Sequence, residues 1–97
     1  MCGIYGGISS NFNELDSFMK KGKKLLKTRG PDFQKYEHYS IDSRKKYIAI
    51  GSNRLAITDI ENGNQPMNSK CNRFCIVFNG QIFNQREIRE ELVTSYN

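Results

Sequence analysis

The chain opens Met1-Cys2-Gly3-Ile4-Tyr5-Gly6-Gly7-Ile8, and no other stretch constrains its folding as strongly. Ile4, Tyr5 and Ile8 favour a strand, while three interleaved glycines let a neighbouring element approach the backbone closely. A short strand over 3–9 is the reading. The same run carries chemistry. Removal of Met1, which requires a small second residue, leaves Cys2 with a thiol and an α-amine on one Cα. An α-amine titrating at about 7.7 to 8.0 is partly neutral near pH 7 and can take the proton of a thiol titrating at about 8.5. That pairing suits acyl transfer. By residue type alone Cys2 also reads as a small apolar residue opening a strand.

Downstream, Asn13 is a candidate N-cap, with Glu14 and Asp16 at the positive end of a helix. Leu15, Phe18, Met19, Gly22, Leu25 and Leu26 fall on one stripe opposite a lysine face, predicting a helix over 13–27 that packs into a core. Arg29-Gly30-Pro31-Asp32 reads as its stop. Residues 36–43 look like a polar loop, 46–51 like a strand, and Leu55-Ala56-Ile57 continue that strand with apolar residues two apart. Arg54 interrupts them. It reads either as a snorkelling edge residue or as a planar fork aimed at a carboxylate. Glu61 to Asn64 form a turn signal. Residues 73–79 alternate as a strand, with Phe74, Ile76 and Phe78 on one side and Cys75 and Val77 on the other, and Asn79-Gly80 ends it as a turn. A second helix follows Asn84, with Glu87 at capping-box distance and Ile88 and Leu92 on one face.

Ninety-seven residues allow one small domain without linker or repeat, and a complete catalytic core would be tight. The hydrophobic fraction of 37% and charged fraction of 26% describe a globular chain rather than a disordered one. A net charge of +5 sits largely in Lys20, Lys21, Lys23, Lys24 and Lys27. No nucleic-acid module accompanies that cluster, so it reads as the solvated face of the helix rather than as a nucleic-acid patch. Three cysteines, Cys2, Cys71 and Cys75, leave one unpaired and imply a reducing compartment. On one strand, 71 and 75 would be four steps of about 3.3 Å apart, too far for a disulfide. With a single histidine, His38, a zinc set would need unfamiliar spacing, so no metal site is expected. Signal peptide and membrane span are both missing from the pattern, which points to a cytoplasmic protein without a membrane partner.

Five motifs then stand in order: M-C-G-I at the start, R-G-P-D at 29–32, N-R-L-A-I-T-D at 53–59, Q-P-M at 65–67 and N-G-Q-I-F-N at 79–84. In this order and spacing the chain resembles the class II glutamine amidotransferases, most closely the asparagine synthetase branch. The resemblance implies an α+β fold, a partial αββα sandwich of the N-terminal-nucleophile hydrolase type. It covers residues 1–97, about the first half of that glutaminase domain, and none of the ATP-dependent synthetase domain. Read this way the chain is a fragment.

The resemblance implies Cys2 as nucleophile with its own α-amine as base, and Arg54 as the group holding the α-carboxylate of L-glutamine. Leu55, Ala56, Ile57 and Thr58 would line the substrate pocket with it. Asn79 and Gly80 would form the oxyanion hole, the first through its carboxamide and the second through its backbone N–H. Gln81 would stand beside the substrate ammonium where the family pattern has Glu; Phe83 replaces Tyr and Thr28 replaces His. An Asp that also grips that ammonium in the family falls after Asn97, so the chain alone is expected to be inactive. No cofactor is implied within these residues; ATP and Mg²⁺ would belong to the synthetase domain. The implied partners are that domain or the other half of the glutaminase domain. The alternative is a non-catalytic relic or interaction module.

Overall fold

The computed structural model describes residues 2–57, 59 and 61–96. Its architecture is α+β. A three-stranded antiparallel sheet is built from β1 (Gly3–Ser9), β2 (Phe33–Ile41) and β3 (Lys46–Arg54), with β3 central. The helix α1 (Phe12–Leu25) covers one face, a two-stranded ribbon of β4 (Met67–Asn68) and β5 (Cys75–Ile76) follows, and α2 (Gln85–Tyr96) comes last.

Helix α1 starts one residue earlier than the sequence implies because Asn11, not Asn13, caps it. The Asn11 side-chain oxygen accepts from the Glu14 N–H at 3.1 Å. The predicted stripe is narrower in the fold. Leu15 and Met19 are buried against Ala49, whereas Phe18 and Leu25 flank the contact and remain exposed. Tyr5, Tyr36 and Tyr47 complete this small core. Beside it, the fully buried Asn53 donates to the Lys23 carbonyl at 2.7 Å and accepts from the Tyr5 hydroxyl at 3.1 Å. One amide thus satisfies an otherwise unpaired carbonyl near the helix C-terminus and ties the helix to the central strand.

Residues 33–41 form a strand, which takes in most of the 36–43 stretch expected as a polar loop. As β2 they occupy an edge of the sheet, paired along their whole length with β3 from Phe33↔Arg54 to Ile41↔Lys46. Alternation explains the polarity. Tyr36 and His38 face α1, where the Asp16 carboxylate accepts from the Tyr36 hydroxyl at 3.2 Å and lies 3.6 Å from His38 Nε2. Lys20, hydrogen-bonded to the same carboxylate at 3.0 Å, holds Asp16 below the usual carboxylate range. Glu37 and Tyr39 face the other way and meet the ribbon. The Tyr39 hydroxyl donates to Glu37 Oε2 at 2.5 Å and lies 3.3 Å from Asn68 Oδ1, and the Asn68 amide donates to Glu37 at 3.4 Å. Helix, sheet and ribbon therefore form successive layers, with Ile4 and Ile8 left exposed on β1.

Two other expectations change. β3 ends at Arg54, so 55–57 do not extend it, and only Cys75–Ile76 of the expected 73–79 strand pair. A strand persists only where a partner offers its ladder, and β4 offers two residues. Helix α2 follows Asn84 as expected but buries none of its residues.

Candidate active site

Cys2 stands immediately before β1, and the pairing of Gly3 with Asn53 brings it beside the residues that leave β3. The Leu55 N–H donates to Cys2 Sγ at 3.4 Å, and Sγ lies 3.8 Å from the Leu55 carbonyl. The turn at 29–32 is not the helix stop that the sequence suggests, because α1 ends several residues before it; it braces the site instead. Arg29 Nε donates to the Cys2 carbonyl at 3.4 Å, the Asp32 N–H donates to the Arg54 carbonyl at 2.9 Å, and Asp32 Oδ2 accepts from the Ala56 N–H at 2.7 Å. Helix α1 has already ended at Leu25, and among the described residues no glycine has positive φ. Gly30 is needed for closeness instead: a Cβ there would fall 1.9 Å from the Asn53 carbonyl oxygen. The turn is a splint for the segment that carries Cys2 and Arg54.

Arg54 is not a snorkelling edge residue. It ends the central strand with 5% exposure, and its guanidinium donates from Nη1 to Asn64 Oδ1 at 2.8 Å and from Nη2 to the Asp59 carbonyl at 2.6 Å. The same carbonyl accepts from the Gly63 N–H at 2.8 Å, closing a turn in which Asp59 adopts φ 46°. Gly63 packs so close that a Cβ would come within 2.5 Å of Nη2. Burying the fork among these acceptors fixes its plane, which is the requirement for bidentate recognition of a carboxylate.

A cleft of about 730 Å³ opens in front of these groups. Its lining includes Cys2, Arg54, Leu55, Ile57, Asp59 and Gly63 together with Gln65, Phe78, Asn79, Gly80 and Gln81. Of the residues singled out in the sequence, Cys2, Arg54, Leu55, Ile57, Asn79, Gly80 and Gln81 line this cleft. Ala56 does not line the cleft, since its N–H is turned toward Asp32, and Thr58 lies outside the described residues. Sequence reasoning read Asp32 as part of a helix stop and Gly63 and Asn64 as part of a turn, and gave neither them nor Gln65 a place in the site. Their only signal was membership of, or nearness to, the R-G-P-D and Q-P motifs. A thiol, a fixed planar cation and a carboxamide beside a glycine N–H, gathered around one open cleft, form a set able to attack a carbonyl in a substrate that also bears a carboxylate. Among the described residues no group of three or more His, Cys, Asp or Glu could hold a metal ion, and no helix is long and apolar enough to cross a membrane.

The whole chain, residues 1–97, matches the family profile described as a glutamine amidotransferase domain. It is 33% identical over 96 residues to asparagine synthetase [glutamine-hydrolyzing] 1 of Bacillus subtilis, covering 95% of this chain and 14% of that protein. A probable asparagine synthetase [glutamine-hydrolyzing] of Dictyostelium discoideum is 35% identical over 98 residues, covering 98% of this chain and 16% of its own length. A putative asparagine synthetase [glutamine-hydrolyzing] 2 of Methanocaldococcus jannaschii is 34% identical over 107 residues, with 94% and 20% covered. The chain therefore spans about one seventh to one fifth of the length of these relatives. No solved structure matches it.

Proposed function

This chain belongs to the glutamine amidotransferase domain family, and on that premise we propose that its cleft carries the nucleophile side of a site that hydrolyses the side-chain amide of L-glutamine, with Cys2 as nucleophile. The observation that carries this reading is the convergence of Cys2, Arg54, Asn79, Gly80 and Gln81 on one cleft from three separate stretches of sequence. Once Met1 is removed, the free α-amine of Cys2 takes the thiol proton. The sulfur then adds to the amide carbon, and the oxygen that becomes negative is met by the Asn79 carboxamide and the Gly80 N–H. The C–N bond breaks as the nitrogen takes a proton from the amine; ammonia leaves and a thioester remains. Water hydrolyses the thioester, returning the thiol and releasing glutamate.

Arg54 holds the α-carboxylate of the substrate. Leu55 and Ile57 give an apolar flank to the substrate methylenes, and Gln81 lies at the ammonium end, with an amide oxygen where a carboxylate would bind more strongly. In this reading the ammonia serves the ATP-dependent amidation of aspartate to asparagine in a synthetase portion, which holds ATP and Mg²⁺; the names of the relatives support that assignment. The layering of α1, sheet and ribbon supports placing the chain in an αββα sandwich.

The test is covalent labelling of the chain, with Met1 removed, by a diazo-ketone analogue of glutamine, located by mass spectrometry. Cys2 is expected to carry the adduct, and Cys2→Ala to carry none. Arg54→Lys keeps the charge but loses the fork, so half-maximal labelling should need about ten- to hundredfold more analogue, as expected for a lost charged hydrogen bond of about 1.5 to 3 kcal/mol. A chain whose Cys2 stays unlabelled would refute the glutaminase reading and favour a non-catalytic interaction module. That alternative draws on one observation: Ile88, Leu92 and Val93 of α2 are exposed.

A further inference from the structure

We propose that Gln65 is a positioning residue that sets the Phe78–Gly80 backbone against Cys2, an inference that rests on the glutaminase reading above. The ribbon pairs Met67 with Ile76 and Asn68 with Cys75 and then stops. Extending that antiparallel register by two residues puts Gln65 opposite Phe78. Pro66, buried between them in sequence, has no N–H to offer the ladder. The side chain of Gln65 replaces the missing main-chain pairing. Its Oε1 accepts from the Phe78 N–H at 2.6 Å, and its Nε2 donates to the Phe78 carbonyl at 3.1 Å.

A primary amide is the one uncharged side-chain group that offers an acceptor and a donor side by side, as a strand residue does. Holding the Phe78 carbonyl fixes the plane of the Phe78–Asn79 peptide, because the atoms of a peptide unit move together. Asn79 and Gly80 follow that plane, and both line the cleft with Cys2 and Gln65 itself. The oxyanion donors would otherwise hang from a segment that belongs to no strand and whose residues 78–81 are all exposed. Gln65 thus couples the Q-P motif to the N-G motif by two hydrogen bonds and sets catalytic geometry without touching the reacting atoms. Misplacing such donors by about 1 Å costs up to roughly a hundredfold in rate.

The experiment compares wild type, Gln65→Leu and Gln65→Glu in the full chain by two readouts. Amide hydrogen exchange at Phe78 reads the clamp itself. Labelling of Cys2 by the diazo-ketone analogue, in which the thiol protonates the diazo carbon and the sulfur displaces dinitrogen, reads the geometry; iodoacetamide provides the control for intrinsic thiol reactivity. Gln65→Leu should speed exchange at Phe78 by about five- to tenfold and slow analogue labelling by about tenfold or more, with iodoacetamide alkylation unchanged. Gln65→Glu keeps the acceptor for the Phe78 N–H but turns an oxygen toward the Phe78 carbonyl, so Phe78 stays protected while labelling still slows. In both variants the β1–β3 amides should keep their protection, since the two hydrogen bonds of Gln65 run only to Phe78. Unchanged exchange at Phe78 in Gln65→Leu would overturn the clamp. Wild-type labelling in both variants, with faster exchange at Phe78 in Gln65→Leu, would overturn the positioning role. If wild type itself goes unlabelled, the glutaminase reading fails and the positioning role fails with it.

Discussion

The segment from Gly3 to Arg54 and the segment from Glu61 to Tyr96 differ sharply in packing. The first contributes all three buried hydrophobic side chains, Leu15, Met19 and Ala49, together with the buried Ser52, Asn53 and Arg54. The second buries Pro66 alone among its described residues. Between them runs the cleft. Cys2 and Arg54 belong to the well-packed side, where every shift must be shared with a sheet and a helix. Asn79 and Gly80 belong to the sparse side, where order depends on side-chain links: Gln65 to Phe78, and Glu37 and Tyr39 to Asn68. A site built across such a seam has one half set by packing and the other by a few hydrogen bonds, and stability against local opening should differ accordingly.

Substitutions on the two sides should break or sharpen that contrast. The largest effect is expected at Gly30, where an added Cβ would meet the Asn53 carbonyl at 1.9 Å. Backbone faces backbone there, so neither side can yield cheaply. Gly30→Ala should lose about 4 kcal/mol or more in denaturant unfolding, and a loss under 1 kcal/mol would contradict the close approach. Met19→Ala, which empties a fully buried position, should cost about 2 to 4 kcal/mol in the same measurement.

Alkaline titration tests the packed side through Tyr5. Burial, and then the nearby Tyr36 hydroxyl, push the Tyr5 phenol from 10.0 up to about 12. The fold favours the protonated phenol, so this contribution is fully present below pH 10 and is lost as the pH rises from 10 through about 12. The melting temperature should fall in that window and more gently in Tyr5→Phe; identical alkaline profiles for the two proteins would contradict the burial. The smallest effect belongs to α2. Leu92 is half exposed and sits in a helix that buries nothing, so Leu92→Gln should change stability by less than about 0.5 kcal/mol. A loss of 2 kcal/mol there would show that the second segment is as firmly packed as the first.

The local pattern was sufficient wherever one short stretch dictates its own structure. Gly3 to Ser9 is a strand because its apolar residues and glycines leave little else. Phe12 to Leu25 is a helix because its stripe recurs at helical spacing, and five motifs in order identified the family. Tertiary structure alone decided four matters. Residues 33–41 are a strand because an edge position tolerates Lys35, Glu37 and Ser40 once β3 supplies the ladder. Gly30 matters through contact with Asn53, which is distant in sequence and invisible to any local rule. Arg54 is buried because Asp59 and Asn64 fold back and supply its acceptors, whereas its residue type and neighbours pointed first to a snorkelling edge residue and only then to a carboxylate fork. Gln65 acquires its partner only when the ribbon register places it opposite Phe78. Periodicity reports what a residue does for its own element; hydrogen bonds between elements depend on where the chain returns, and that is settled only when the sheet and its layers assemble.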